Sequence, residues 1–347
     1  MAACPVSAIR ATSQAELQHL SKIRAASQTE VKAEVKLLTP HEVEVSKAFA
    51  LNTKINGIPL PFPRALTQNV WMVGHHSEKT FGAAPYIVKG RHHGKDISVL
   101  VDVPKFSQSA IQTVQSVSSP DGPDYMFLTH VDDTAQQLQW KERFPNMKRV
   151  FHAGDLGEHN WTGDESLEDV EILLKGVSDV ENEKLLAFSL DSTATDTIRT
   201  IDCSGNSDVD DQVLNAYRSM DSDFVIFHTP GHSPGSISLL HRLNGGTLFT
   251  GDTYTYTTRD GGRMSGFPQY GHDLPLQIWT LECFKRLSSQ YECVASGHGH
   301  PRRYRTTGGS NDTPNDHVSV EDLKYKDTED AISELQSYNQ RGWTHRK

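Results

Sequence analysis

The stretch HTPGHSPGSISLLHRLNGGTLFTGDT, residues 228–253, sets two short apolar runs beside glycines and beside side chains able to ligate a metal. SISLLHRL and TLFTGD have strand length and are bounded by Pro, Gly and Asn, so both read as β-strands. His232 stands just before the first and Asp252 ends the second, each preceded by a glycine. A strand holds its terminal residue rigidly, and glycine lets the loop pass close to a ligand. A strand-end histidine also stands at His130 in FLTHVDD and, beside glycine, at His298 in VASGHGH. Imidazole and carboxylate donors suit zinc, or iron and manganese as the carboxylate share rises. Each element alone is weak, because a lone strand-end histidine is usually a satisfied structural residue. Four in series point to a site.

The surrounding pattern is that of a layered α/β domain. NVWMV, PYIVKG and ISVLVDV read as consecutive strands from Asn69 onward. SQSAIQTVQSV places Ile111, Val114 and Val117 at helical spacing, YMFLTH follows as an apolar strand, TAQQLQWKERF as a helix and KRVFHA as a strand. FVIFHT, the two strands above, the helix PLQIWTLECFKRLSS and the strand YECVASGHGH complete it. Residues 1–55 read as an N-terminal extension, 56–305 as the domain, and 306–347 as a polar tail in which DAISELQSYNQ forms a docking helix. Residues 176–222, acidic and rich in Ser, Asp and Thr, read as an insertion.

Composition narrows the partners. With 347 residues the chain is long enough for a large core. Its 44 acidic residues against 34 Lys and Arg give a net charge of −10, which argues against nucleic acid or an anionic membrane as the partner and leaves a small-molecule substrate. No apolar run approaches the ~20 residues of a membrane span. Cys4, Cys203, Cys283 and Cys293 form no CxxC pair, as expected of an intracellular, cytoplasmic chain. Arg10, Lys22 and Arg24 against Glu16 alone give residues 1–28 some transit-peptide character, so an organelle, plastid or mitochondrion, is the alternative compartment.

Taken in order, TH130…D, TPGH232SPGS, LFTGD252 and SGH298GHP resemble the metallo-β-lactamase fold superfamily over roughly residues 69–301, most specifically at TPGHSPGSISLL and LFTGDT. HSEKTFGAAPYIV with FLTHVDD looks like a metallo-hydrolase/oxidoreductase-like subgroup from photosynthetic organisms, and Asp102 corresponds to the aspartate of an opening-strand motif. The resemblance implies an αββα sandwich, four layers with a metal site at one edge. It also exposes a departure. Where the superfamily has T-H-x-H-x-D-H, this chain has His130, then Asp132 in the second histidine's place, and Thr134 and Ala135 where an aspartate and a histidine are usual.

The expected ligands are His130, Asp132 and His232, with Asp252 bridging or completing the set and His298 beyond it. One zinc is expected, iron or manganese being the alternatives, with a second metal weak or absent. The implied activity is metal-dependent hydrolysis by metal-bound hydroxide on a small ester, thioester, lactone or phosphoester. Loss of two ligands supports a catalytically impaired binding or regulatory protein instead, and the acid at 132 an iron-binding redox protein. Asp133 has two readings: catalytic base, or N-cap of the following helix with Gln136 as its capping-box partner. Asp132 could likewise serve the helix dipole. His152 is a reserve ligand, His75, His76, His272 and His300 belong to loops, and Arg302 and Arg303 either hold an anionic group or are solvated.

Overall fold

The computed structural model describes residues 62–74, 82–192, 199–205, 208–257, 262–304 and 319–342. The expected N-terminal extension, residues 1–55, and His75 and His76 lie outside these. The first sheet holds β1 (Arg64–Thr67), β2 (Val70–Met72), β3 (Tyr86–His92), β4 (Lys95–Val101), β5 (Tyr125–Phe127), β6 (Lys148–His152) and β7 (Ile172–Leu174), in chain order across the sheet. Pairing is antiparallel from β1 to β4 and parallel from β4 to β7. Parallel neighbours need a crossover. The helices α1 (Gln108–Val117) and α2 (Gln137–Arg143) supply two of them, after β4 and after β5.

Alternation along the strands builds the layers. In β4, Val99 and Val101 belong to one cluster and Leu100 to another; in β5, Tyr125 and Phe127 are separated in the same way from Met126. The Leu100 and Met126 face packs on Ile111, Val114 and Val117 of α1 and Trp140 of α2, the helical spacing read in SQSAIQTVQSV. Ser107 caps α1 by accepting from the Ala110 amide at 3.1 Å.

The second sheet is built from β8 (Lys184–Phe188), β9 (Arg199–Asp202), β10 (Phe224–His228), β11 (Ile237–His241) and β12 (Thr247–Gly251), then, after a separate hairpin of β13 (Thr255–Thr257) and β14 (Arg263–Ser265), β15 (Cys293–Ser296) and β16 (Arg302–Arg303). Its order is β16-β15-β12-β11-β10-β8-β9. Leu186, Phe188, Phe224, Ile226, Ile237, Leu239, Phe249 and Ala295 meet the Val99 and Phe127 face of the first sheet in one dry layer. The opposite face, with Leu185, Ala187, Val225, Phe227, Leu240, Leu248 and Val294, is covered by α3 (Val209–Ser219), α4 (Leu274–Arg286) and α5 (Val320–Gln340). The result is the expected αββα sandwich, a mixed α/β fold. Among the described residues no helix is long and apolar enough to cross a membrane.

Two readings of the chain's organisation change. Residues 176–222 are not an insertion, since they supply β8, β9 and α3, the second sheet's outer strands and part of its cover. The polar composition misled because the edge strand β9 and the outward side of α3 carry it, whereas β8, paired on both sides, is apolar and buries four of its five residues. β9 buries only Ile201 of its four residues. In the tail, DAISELQSYNQ docks as expected, as the second half of a 21-residue helix opened by a Ser319–Asp322 capping box. Ala331, Ile332 and Leu335 carry the docking.

Leu335 is fully buried. Leu335→Ala is expected to lower the unfolding free energy by about 2–5 kcal/mol in urea titration. An unchanged midpoint would show that α5 does not belong to the core.

Candidate metal centre

Strand direction gathers the site. β4, β5 and β6 run parallel and end at Asp102, His130 and the loop holding Asp155. In the second sheet β10, β12 and β15 share one direction, so Gly231–His232, Asp252 and His298 follow strand ends at a common edge. The two edges are joined by the Ile237 amide, which donates to the Thr129 carbonyl at 2.9 Å, and by Ala84, which donates to Gly297 at 2.6 Å.

At this edge His130 Nε2, Asp132 Oδ2, His232 Nε2 and Asp252 Oδ2 form a closed ring. Successive distances are 3.7 Å (His130–Asp132), 3.8 Å (Asp132–His232), 3.9 Å (His232–Asp252) and 3.8 Å (Asp252–His130). Donors about 2.1 Å from a tetrahedral zinc stand about 3.4 Å apart, so a small inward movement would close the ring on an ion. His298 joins through Asp252, with Nε2 3.0 Å from Oδ2. The structure therefore brings together all five expected ligands.

The polar accounting shows that the ring fits a cation. His130 Nε2, both ring nitrogens of His232, and Asp252 Oδ1 are buried without a hydrogen-bond partner. Such orphans are costly unless something satisfies them. Asp102, Asp133, Asp155 and Asp252 are all buried here, and among the described residues none forms an ion pair with Lys or Arg. Burial pushes the Asp102 carboxyl up to about 7. For Asp252 burial acts in the same direction, but His298, His130 and His232 outweigh it and bring the group down to about 2. Burial opposes protonation of His130, while Asp133, Asp132 and Asp252 together raise its pKa well above the ordinary value. The centre is short of positive charge.

Close backbone approaches hold the ligands. Thr129 Oγ1 lies 3.0 Å from His130 Nδ1, turning Nε2 toward the ring, and the Thr129 amide donates to Asp102 Oδ1 at 2.9 Å. Gly251, at φ +48°, passes so near Thr129 that a Cβ there would sit 2.5 Å from Oγ1. Helix α4 supports the TPGH loop: Thr280 donates to the Pro230 carbonyl at 2.8 Å and the Asp273 amide to the Gly231 carbonyl at 2.8 Å.

Asp155, not foreseen as a site residue, ties the two histidine loops together. It accepts from the Val131 amide at 3.0 Å and the Ser233 hydroxyl at 2.8 Å through Oδ2, and from the Gly235 amide at 2.6 Å through Oδ1. Its signal was present, since VFHAGD155 shares the strand–glycine–aspartate pattern. Trp161 was also missed. Its indole N–H donates to Asp132 Oδ1. No pattern marks it, because it lies on a loop after β6.

Several readings are corrected. Asp133 does not cap α2. It lies in a 3-10 turn, Val131–Thr134, and Gln136 at φ 71° breaks the chain before α2 begins at Gln137. The Asp133 carboxylate is fully buried, 3.8 Å from His130 Nδ1, with neither oxygen hydrogen-bonded. Asp132 faces the histidine ring. Thr134 spends its hydroxyl on the Val131 carbonyl at 2.9 Å, so it offers the ring no donor. His152 is no reserve ligand: Nδ1 accepts from Gly154 at 3.0 Å, Nε2 meets the Gly176 carbonyl at 2.8 Å, and the ring stacks on His228 at 4.5 Å. Arg302 is held by Asp327 of α5 at 2.7 Å. His272 stays near the rim, its amide donating to the His232 carbonyl at 3.0 Å, and His300 packs near Tyr256.

Burial holds the non-ligating histidines neutral, lowering His152 to about 4, His228 to about 3 and His241 to about 4. Between these values and 6.5 the unfolded chain binds more protons at these three rings than the fold does, so their contribution to stability rises with pH there. Asp102, raised to about 7, acts in the opposite direction, so the histidine share is read as a difference: the change in unfolding free energy from pH 7 to pH 5 in urea titrations is expected to be more negative in wild type than in His152→Gln. Equal pH dependence in the two proteins would contradict the neutral, buried state of the His152 ring.

Solved structures similar in fold include a metallo-β-lactamase from Erythrobacter litoralis (14% identity, TM-score 0.45, covering 78% of this chain and 95% of that one). Two others are FIM-1 from Pseudomonas aeruginosa in a mono-zinc form (15%, 0.44, 77% and 94%) and a metallo-β-lactamase from Hirschia baltica (16%, 0.44, 78% and 96%). Neither a protein-family model nor a curated protein matches the chain.

Proposed function

We propose that the protein is a metal-dependent hydrolase of small esters, thioesters, lactones or phosphoesters. The observation that carries this reading is the ring of four donors, whose two inward imidazole nitrogens have no hydrogen-bond partner and which opens toward solvent at Asp132, whose side chain is 20% exposed. A divalent ion bound there supplies a water with a pKa near 7 and polarises a carbonyl or phosphoryl oxygen. His130, Asp132, His232 and Asp252 would hold it. Two imidazoles with carboxylates suit zinc, and the carboxylate share also accommodates iron or manganese. Thr134 and Ala135 offer no ligands, so a second ion would have Asp252, His298 and the unpaired Asp133 oxygens, which supports a single tight site.

The remaining residues have separable tasks. Trp161, 49% exposed, covers the Asp132 side, where a substrate must enter. His272 and His159, whose rings lie 5.5 Å apart, stand on the same side through the His272 link to His232. Phe267 packs on His298 at 5.4 Å and walls the other flank. Asp133 is the candidate base. Burial raises its pKa above the ordinary carboxylate value, and it stands on the Nδ1 side of His130, so its role would be exercised through that imidazole.

Metal analysis of tag-free protein is expected to give one equivalent of zinc at this centre, the occupancy of a single closed ligand set, and His232→Ala to lose that equivalent. Asp133→Asn is expected to keep the metal and lose about 100-fold or more in turnover on chromogenic esters or phosphoesters. Full turnover in Asp133→Asn would remove it from the mechanism. A chain that binds no metal and gains no thermal stability from added zinc would leave the binding or regulatory reading. The carboxylate at 132 favours a second reading, an iron redox centre, and stoichiometric iron in place of zinc would select it.

A further inference from the structure

A second cluster of metal-ligating side chains lies at the opposite edge of the sandwich. Strands β3 and β4 pair down to His92–Lys95, leaving His93 and Gly94 as a two-residue turn with φ of 49° and 71°. Positive φ at both central residues is the type I′ hairpin geometry, normally Asn-Gly. A histidine there places its ring beside that of His92, with centroids 4.1 Å apart. Asp191, just after β8 of the other sheet, faces both: Oδ2 lies 3.0 Å from His93 Nε2 and Oδ1 3.3 Å from His92 Nε2. All three donors lie within 4.8 Å of one another. The seven residues of β4 separate this edge from Asp102, about 20 Å at the rise of an extended strand.

Three features distinguish the cluster from a surface ion pair. The His92 side chain is only 3% exposed, and neither ring nitrogen has a hydrogen-bond partner, the contact to Asp191 being close but poorly aligned. Burial lowers its pKa, so it stays neutral and available as a ligand. The donors are also held in place. His93 donates from its amide to the Asp221 carbonyl at 2.8 Å, Arg91 and Asp223 exchange two hydrogen bonds just before it, and the Ser189 hydroxyl donates to Asp191 Oδ1 at 2.7 Å. His93, 53% exposed at its side chain, leaves the cluster open to solvent.

We infer that His92, His93 and Asp191 form a second binding site for a borderline transition ion such as zinc, completed by water and stapling the β3–β4 hairpin to the loop after β8. Two imidazoles and one carboxylate suit such an ion and not magnesium or calcium, which prefer all-oxygen shells. Binding to the folded chain alone makes the ion a stabiliser. Neither His92, His93 nor Asp191 belongs to the candidate centre, so the inference stands whether or not that centre is catalytic.

The test is a titration of chelator-treated full-length protein with zinc alone, by calorimetry and by thermal melting. His93→Asn keeps the preferred Asn-Gly turn and so preserves the fold, and Asp191→Asn removes the carboxylate charge. Wild-type protein is expected to take up one more equivalent than either variant, or to bind that equivalent at least about tenfold more tightly, and to gain more in melting temperature with zinc. His232→Ala is expected to retain the equivalent that His93→Asn loses. Identical stoichiometry, affinity and melting response in wild type, His93→Asn and Asp191→Asn would overturn the inference.

Discussion

Asp155 fixes the distance between the two halves of the candidate centre. His130 belongs to the first sheet and His232 to the second, and the sheets meet through an apolar layer that places neither loop accurately. The Asp155 carboxylate crosses that boundary, accepting from Val131 next to His130 and from Ser233 and Gly235 next to His232. Replacing the carboxylate would leave the sandwich intact and the ring slack. Gly235 must be glycine for this contact, because a Cβ there would meet the Asp155 amide nitrogen at 2.5 Å and its Cγ at 2.7 Å.

Electrostatics adds a second constraint. Four buried carboxylates around three imidazoles would be a costly arrangement in a chain with no other ligand, since each buried charge needs a partner. The fold tolerates them because the hydrogen bonds to Asp102 and Asp155 come from backbone amides and a hydroxyl, Asp133 lies against His130, and Asp252 faces His298, His130 and His232.

The sequence made visible what depends on periodicity and on strand ends. Val99, Leu100 and Val101, or Ile111, Val114 and Val117, repeat at the spacing of their elements, and His130, His232, Asp252 and His298 each follow such an element, the last three beside glycine. What it did not show depends on contacts between distant segments. Trp161 reaches Asp132 from an irregular loop, and Asp155 acts through partners 24 and 80 positions away. The capping reading of Asp133 failed because Gln136 turns left-handed, a local backbone event that an S/T/D-x-x-Q pattern does not encode. Residues 176–222 looked like an insertion because the edge strand β9 buries only Ile201, and its polar residues dilute the apolar signal of β8.

Helix α5 touches no candidate ligand, yet it shapes the wall beside them. Glu334 binds Arg263 and Ser265 at 2.8 and 2.7 Å, the Tyr338 hydroxyl accepts from Gln269 at 2.7 Å, and Leu335 fills the space that a side chain on Gly266 would need. The segment 263–269 leads directly to Phe267 and His272 at the rim. Changes on this helix, outside the ring, can therefore shift the segment that carries Phe267 without altering any residue of the candidate centre.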